Sequence, residues 1–129
     1  MIKYNVVAKV NPQTKAVKFY AQAASPDTVT LDDIADRIEK RSTASSADVK
    51  AVFDALVYEL TQSLKEGHSV KLGDLGTYSC TLRSEGAETA DAFTADKIQS
   101  VHVRWTLPAK LKSALDVKKG SVTFKKASN

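Results

Sequence analysis

The side chains of this sequence that could act on a substrate or an ion are few, and their spacing keeps them apart. Cys80 is the single cysteine, which excludes an internal disulfide and a cysteine-based zinc cluster. A thiol becomes a working nucleophile only where a neighbouring base holds it as thiolate. The nearest base in pattern, His102, lies in a second alternating segment. Alternation sets Cys80 with Tyr78 and Leu82 on an apolar face, but His102 with Arg104 and Thr106 on a polar one. Cys80 is therefore expected in the core. Asp32, Asp33 and Asp36 gather at one helix start, where they offset the helix dipole; a hard cation would need convergent oxygen ligands from elsewhere as well. His68 follows the helix-ending Gly67 and reads as a surface residue. Gly73 and Gly76 precede a strand pattern and not a helix, so they do not build a phosphate cradle. No catalytic residue, metal site, cofactor or small-molecule substrate is expected.

What remains is ionic chemistry. The net charge of +4 is modest, but its distribution is uneven. Residues 1–23 hold four lysines and no acid, residues 108–129 hold six lysines against Asp116, and residues 24–82 carry six basic and ten acidic side chains. A polyanion site would draw on the basic ends, provided that the fold brings them together. The candidate contacts are Arg83, His102 and Arg104 on one strand face, Lys110 and Lys112 at the start of the last helix, and Lys118 and Lys119 after it; Lys125 and Lys126 follow. Such groups would hold phosphates and position a nucleic acid without reading its bases. Arg37 and Lys40 share a helix with Asp33, Asp36 and Glu39 and are expected in helix-surface ion pairs.

The elements that must carry these residues are legible in periodicity. Residues 2–10 and 16–23 read as a β-hairpin around Asn11-Pro12-Gln13-Thr14, and Ser25-Pro26-Asp27 reads as a linker. Thr30 opens a helix to about Arg41, with Leu31, Ile34, Ala35 and Ile38 expected on its buried face. Ser45, with Asp48 three residues on, opens a longer helix that Gly67 ends. Val49, Val52, Phe53, Leu56, Val57, Leu60 and Leu64 form a stripe roughly 140° wide, more than the ~100° that one covering surface requires. A stripe that broad is most readily buried against the chain's own sheet and a second copy's helix, so a homodimer through residues 45–66 is expected. The period then changes to two, with Tyr78, Cys80 and Leu82 in one strand and Val101, Val103 and Trp105 in another. A short helix at 108–115 and a strand at 121–124 complete the chain.

The order helix, helix, strand, strand, loop, strand, helix, with Gly73-Asp74-Leu75-Gly76-Thr77-Tyr78 at the turn, resembles the HU and integration host factor family of bacterial histone-like, DNA-bending dimers. The family has a Gly-Phe-Gly-Thr-Phe-like turn at that point. Its Phe-x-Pro-Gly-Lys segment corresponds here to Trp105-Thr106-Leu107-Pro108-Ala109-Lys110, with proline one position later. The resemblance covers about residues 28–118. It implies an α+β, HU-like fold with an added N-terminal hairpin at 1–27 and a basic tail at 119–129. It also implies double-stranded DNA as partner, low sequence specificity, and a nucleoid-associated, cytoplasmic role. In that family, long arms reach round DNA and a proline tip wedges into the minor groove. Here residues 83–98 carry two basic and four acidic side chains and no proline, so that mechanism does not transfer. The competing expectation is an HU-scaffold protein-interaction module that has given up DNA. A membrane role is not expected: no run approaches the ~18 apolar residues of a span, and Met1-Ile2-Lys3-Tyr4 does not read as a signal peptide.

Overall fold

Strong alternation at both ends and two capped helical stretches between them produce, among the described residues, six strands and three helices. In chain order these are β1 (Ile2–Val10), β2 (Val17–Ala23), α1 (Leu31–Arg41), α2 (Ser46–Lys65), β3 (Val70–Lys71), β4 (Thr77–Ser84), β5 (Ile98–Thr106), α3 (Ala109–Ala114) and β6 (Phe124–Lys126). They are seen in a computed structural model that describes residues 1–127. The chain divides into two compact units, one formed by Met1–Thr30 with the residues from Lys112 onward, the other by Leu31–Leu111.

The first unit is a three-stranded sheet in the order β2-β1-β6. β1 and β2 pair antiparallel from Tyr4↔Ala23 to Val10↔Val17. Asn11 organises their turn: its side-chain oxygen accepts from the Gln13 N–H at 2.9 Å and its carbonyl accepts from the Lys15 N–H at 2.7 Å. β6 joins the other edge of β1 in parallel, with Ile2 opposite Phe124 and Lys3 opposite Lys125. The strand expected at 121–124 thus starts only at Phe124. Before it, the left-handed Gly120, at φ +73°, ends a turn over Val117–Lys119.

In the second unit α2 begins on a complete capping box. The Ser45 hydroxyl accepts from the Asp48 N–H at 3.1 Å, and Asp48 accepts from the Ser45 N–H at 3.2 Å. It ends in a Schellman turn, Gly67 N–H to the Leu64 carbonyl and His68 N–H to the Ser63 carbonyl, both at 3.0 Å, with Gly67 at φ +86°. Lys50 of α2 pairs with Asp32 of α1. The hydrogen bond and charge of Asp32 raise the Lys50 pKa above its ordinary 10.5. That contribution is full at neutral pH and is lost only as pH climbs through the raised value.

The second sheet has the order β3-β4-β5. β4 and β5 pair antiparallel from Thr77↔Thr106 to Arg83↔Ser100, and a bulge then shifts Ser84 to Ile98. Ala35 is the only hydrophobic side chain among the described residues that one chain buries. The expected buried face of α1 is accordingly incomplete, since Ile34 and Ile38 stay exposed. Leu56, Leu60 and Leu64 of α2 are half-buried, while Val52, Phe53 and Val57 of the same stripe face solvent. No helix of the described residues is long and apolar enough to cross a membrane.

Candidate nucleic-acid interface

Pairing of β4 with β5 converts two alternating sequences into a two-faced ribbon. Register puts Thr81 opposite His102, Ser79 opposite Arg104, and Arg83 opposite Ser100. Arg83, His102 and Arg104 therefore lie together on one exposed face, with hydroxyl side chains between them. Ser100 Oγ and His102 Nε2 share a hydrogen bond of 3.0 Å. Neither arginine forms an ion pair among the described residues, so no carboxylate there competes with an incoming anion. The opposite face carries Tyr78, Cys80 and Leu82 against Trp105, Val103 and Val101. Cys80 is half-buried there, its thiol 3.9 Å from the Leu64 carbonyl of α2. The thiol and the His102 imidazole thus sit on opposite faces.

The remaining expected contacts are placed differently. Lys110, in the same unit, reaches Asp74 at 3.4 Å, with both side chains exposed. Lys112, Lys118 and Lys119 belong to the other compact unit. Of these, Lys119 donates to Ser113 Oγ at 2.6 Å, and the Lys118 backbone N–H is held by Asp116. The structure groups three of the seven expected residues on the β4–β5 face, with Lys110 the one other member of that unit. Three lysines outside the expected set, Lys3, Lys9 and Lys18, share a face of the first unit's sheet with Lys125. The even spacing of Lys3 and Lys9 was a visible signal, but their alignment with Lys125 and Lys18 required the pairing register.

Residues 85–97 depart from an extended arm. Ladder pairing ends just past the bulge, at Ser84 and Ile98; Gln99 is the extra residue and its amide donates to Glu85 at 3.3 Å. Beyond it the chain folds into short turns, Ala92 N–H to the Thr89 carbonyl at 3.3 Å, Phe93 N–H to Ala90 at 3.2 Å, and Lys97 N–H to Thr94 at 3.1 Å.

This architecture has known relatives. The profile of a family described as an HU domain fused to a wHTH, Ig or glycine-rich motif, HU-HIG, matches residues 1–124. The chain belongs to this family. Among curated proteins, DNA-binding protein HU of Thermus thermophilus is 33% identical over 60 residues, which are 46% of this chain and 62% of that protein. A solved structure from Bacteroides vulgatus ATCC 8482, assigned as a bacterial DNA-binding protein, superposes with a TM-score of 0.66 at 17% identity. It covers 98% of this chain and 47% of its own. The HU-HIG chain thus spans less than two thirds of either relative. The match to the solved structure concerns the fold: an α+β, HU-like arrangement of paired helices and antiparallel ribbon.

Proposed function

We propose that this HU-HIG chain is an architectural DNA-binding protein that grips duplex DNA through phosphate contacts, with low sequence specificity, as a homodimer. The observation that carries the reading is the β4–β5 face, where Arg83, His102 and Arg104 stand exposed among hydroxyl side chains and neither arginine has a carboxylate partner among the described residues. Side chains of these kinds hold phosphates and sugars, which fixes position without reading sequence. The family and the name of the Thermus relative point the same way. Proline-wedge kinking is not part of the proposal, because residues 83–98 contain no proline and four acids. Catalysis is not part of it either, and the working compartment would be the nucleoid.

Dimerisation is supported by apolar side chains that one chain leaves exposed within the second unit. They include Val52, Phe53 and Val57 of the α2 stripe, which stay exposed while Leu56 and Leu60 of the same stripe are half-buried.

The test is a titration of labelled random-sequence duplex at several salt concentrations, read by fluorescence anisotropy. Binding is expected to tighten as salt falls, with log K against log salt decreasing by about 0.9 for each phosphate contact, and an unrelated duplex should compete equally. Absence of any anisotropy change at micromolar protein in low salt would refute DNA binding and favour the protein-interaction module.

A further inference from the structure

Alternation makes the first unit's sheet two-faced in an unusual way. On one side, register aligns Val6 with Ala21, Ala8 with Phe19, and Ile2 with Phe124, a surface that is apolar except where Tyr4 stands opposite Lys126. On the other side it aligns Lys9 with Lys18 and Lys3 with Lys125. Like charges set directly across neighbouring strands repel and weaken a sheet, and this face does so twice. No acid relieves them from within the hairpin, since residues 1–26 contain none. None of the four lysines forms an ion pair among the described residues.

Between the two lysine pairs the same face presents Asn5 opposite Gln22 and Val7 opposite Tyr20. Lys9 Nζ lies 5.6 Å from the centre of the Tyr20 ring. At the turn end, Lys9, Lys18 and Tyr20 line an open hollow of about 560 Å³ with Asn11 and Thr14. Lysine, asparagine, glutamine and tyrosine are the side-chain types that hold phosphate and sugar oxygens. Lys3 and Lys9 are six residues apart, so the two pairs stand about 20 Å from each other at ~3.4 Å per strand residue. A duplex of that axial length exposes roughly six phosphates on each strand.

We infer that this lysine-paired face of the β2-β1-β6 sheet is a second DNA phosphate-binding surface, separate from the β4–β5 face. The inference rests on the DNA-binding reading above. It explains why the sheet keeps two repelling pairs that a structural role alone would not favour: bound phosphates neutralise what the fold leaves opposed. The other side of the same sheet has one lysine, Lys126 opposite Tyr4, and no lysine pair.

The experiment uses the full chain, comparing the wild type with a Lys9→Gln/Lys18→Gln variant and with a Lys40→Gln/Lys65→Gln control of equal net charge. Each is titrated with random-sequence duplex over a salt series and melted in the absence of DNA. For the hairpin variant, affinity at 0.1 M salt should fall roughly ten- to sixty-fold, and the salt slope should become shallower by about 1.8 for each hairpin engaged. Its melting temperature should stay level or rise, because a repulsion is removed, and the control should bind as the wild type does. A wild type that binds while the hairpin variant matches it in affinity and slope overturns this inference alone. So does a control that weakens as much as the variant, or a hairpin variant whose lost lysines abolish binding to anionic lipid vesicles but not to DNA. A wild type that never binds duplex overturns both this inference and the proposed function.

Discussion

Replacing Val52 and Val57 of α2 with aspartate is expected to turn a dimer into a monomer that no longer unfolds cooperatively. Val52 is 69% and Val57 45% exposed in one chain, although both belong to an apolar stripe with half-buried Leu56 and Leu60. Covering a valine contributes about 1.5–3 kcal/mol, and forcing a carboxylate into the same place costs several more. In a two-fold interface every substitution acts on both sides, so two substitutions per chain remove on the order of 10 kcal/mol. That exceeds the ~8 kcal/mol separating a micromolar complex from none. The loss should reach folding as well, since Ala35 is the one hydrophobic side chain that the described chain buries alone. Sedimentation velocity at micromolar protein and thermal melts by circular dichroism check both effects. A variant with the wild-type sedimentation coefficient and melting temperature, or a monomeric wild type, would defeat the dimer.

How far the sequence reveals such a protein depends on whether the deciding interaction is local. The helix boundaries were legible because Ser45, Asp48 and Gly67 act within a few residues of themselves, and the capping box and Schellman turn form as those residue types require. The separation of Cys80 from His102 followed from alternation alone, because both lie in uninterrupted strand. The bulge at Arg83 and Ser84 was not legible: nothing in Ile98-Gln99-Ser100 marks a bulge, and only the ladder shows Gln99 as the extra residue. Nor was the parallel pairing of Phe124 with Ile2, which joins residues at opposite ends of the chain. The candidate site divides along the same line. Arg83, His102 and Arg104 share a face that period two predicts, while Lys110 is drawn to Asp74, a partner 36 positions away that no local pattern identifies. Val52, Phe53 and Val57 of the α2 stripe are exposed in one chain, and so are Ile34 and Ile38 of α1, which periodicity places inside.

Gly76→Ala should be among the most damaging single substitutions in the second unit, and Gly73→Ala, three residues away, a mild one. Gly76 adopts φ 96° and ψ −175°, a region that is essentially closed to residues with a side chain and costs about 1–3 kcal/mol to enter. An added Cβ would also overlap the Trp105 indole nitrogen and stand 2.7 Å from the Thr106 carbonyl oxygen. The ring cannot retreat without loss, because its Nε1–H donates to the Leu75 carbonyl at 2.9 Å and so ties β5 to the turn before β4. Losing that bond contributes roughly 1 kcal/mol more, which brings the expected destabilisation to about 3–5 kcal/mol with the steric conflict included. Gly73, by contrast, has φ +58° with nothing within 4 Å of a new Cβ, so alanine there meets only the left-handed backbone cost of about 1–2 kcal/mol. Trp105 is the chain's single tryptophan, and its emission reports the local event directly. Gly76→Ala should shift the spectrum of the folded protein as the indole is displaced, and lower the urea midpoint. Gly73→Ala should leave the spectrum in place. Adding Trp105→Phe to Gly76→Ala should recover part of the midpoint by removing the conflict with the indole nitrogen, whereas Trp105→Phe alone should destabilise. Equal urea midpoints for the two alanine variants would mean that the close approach of Trp105 to Gly76 does not constrain the turn.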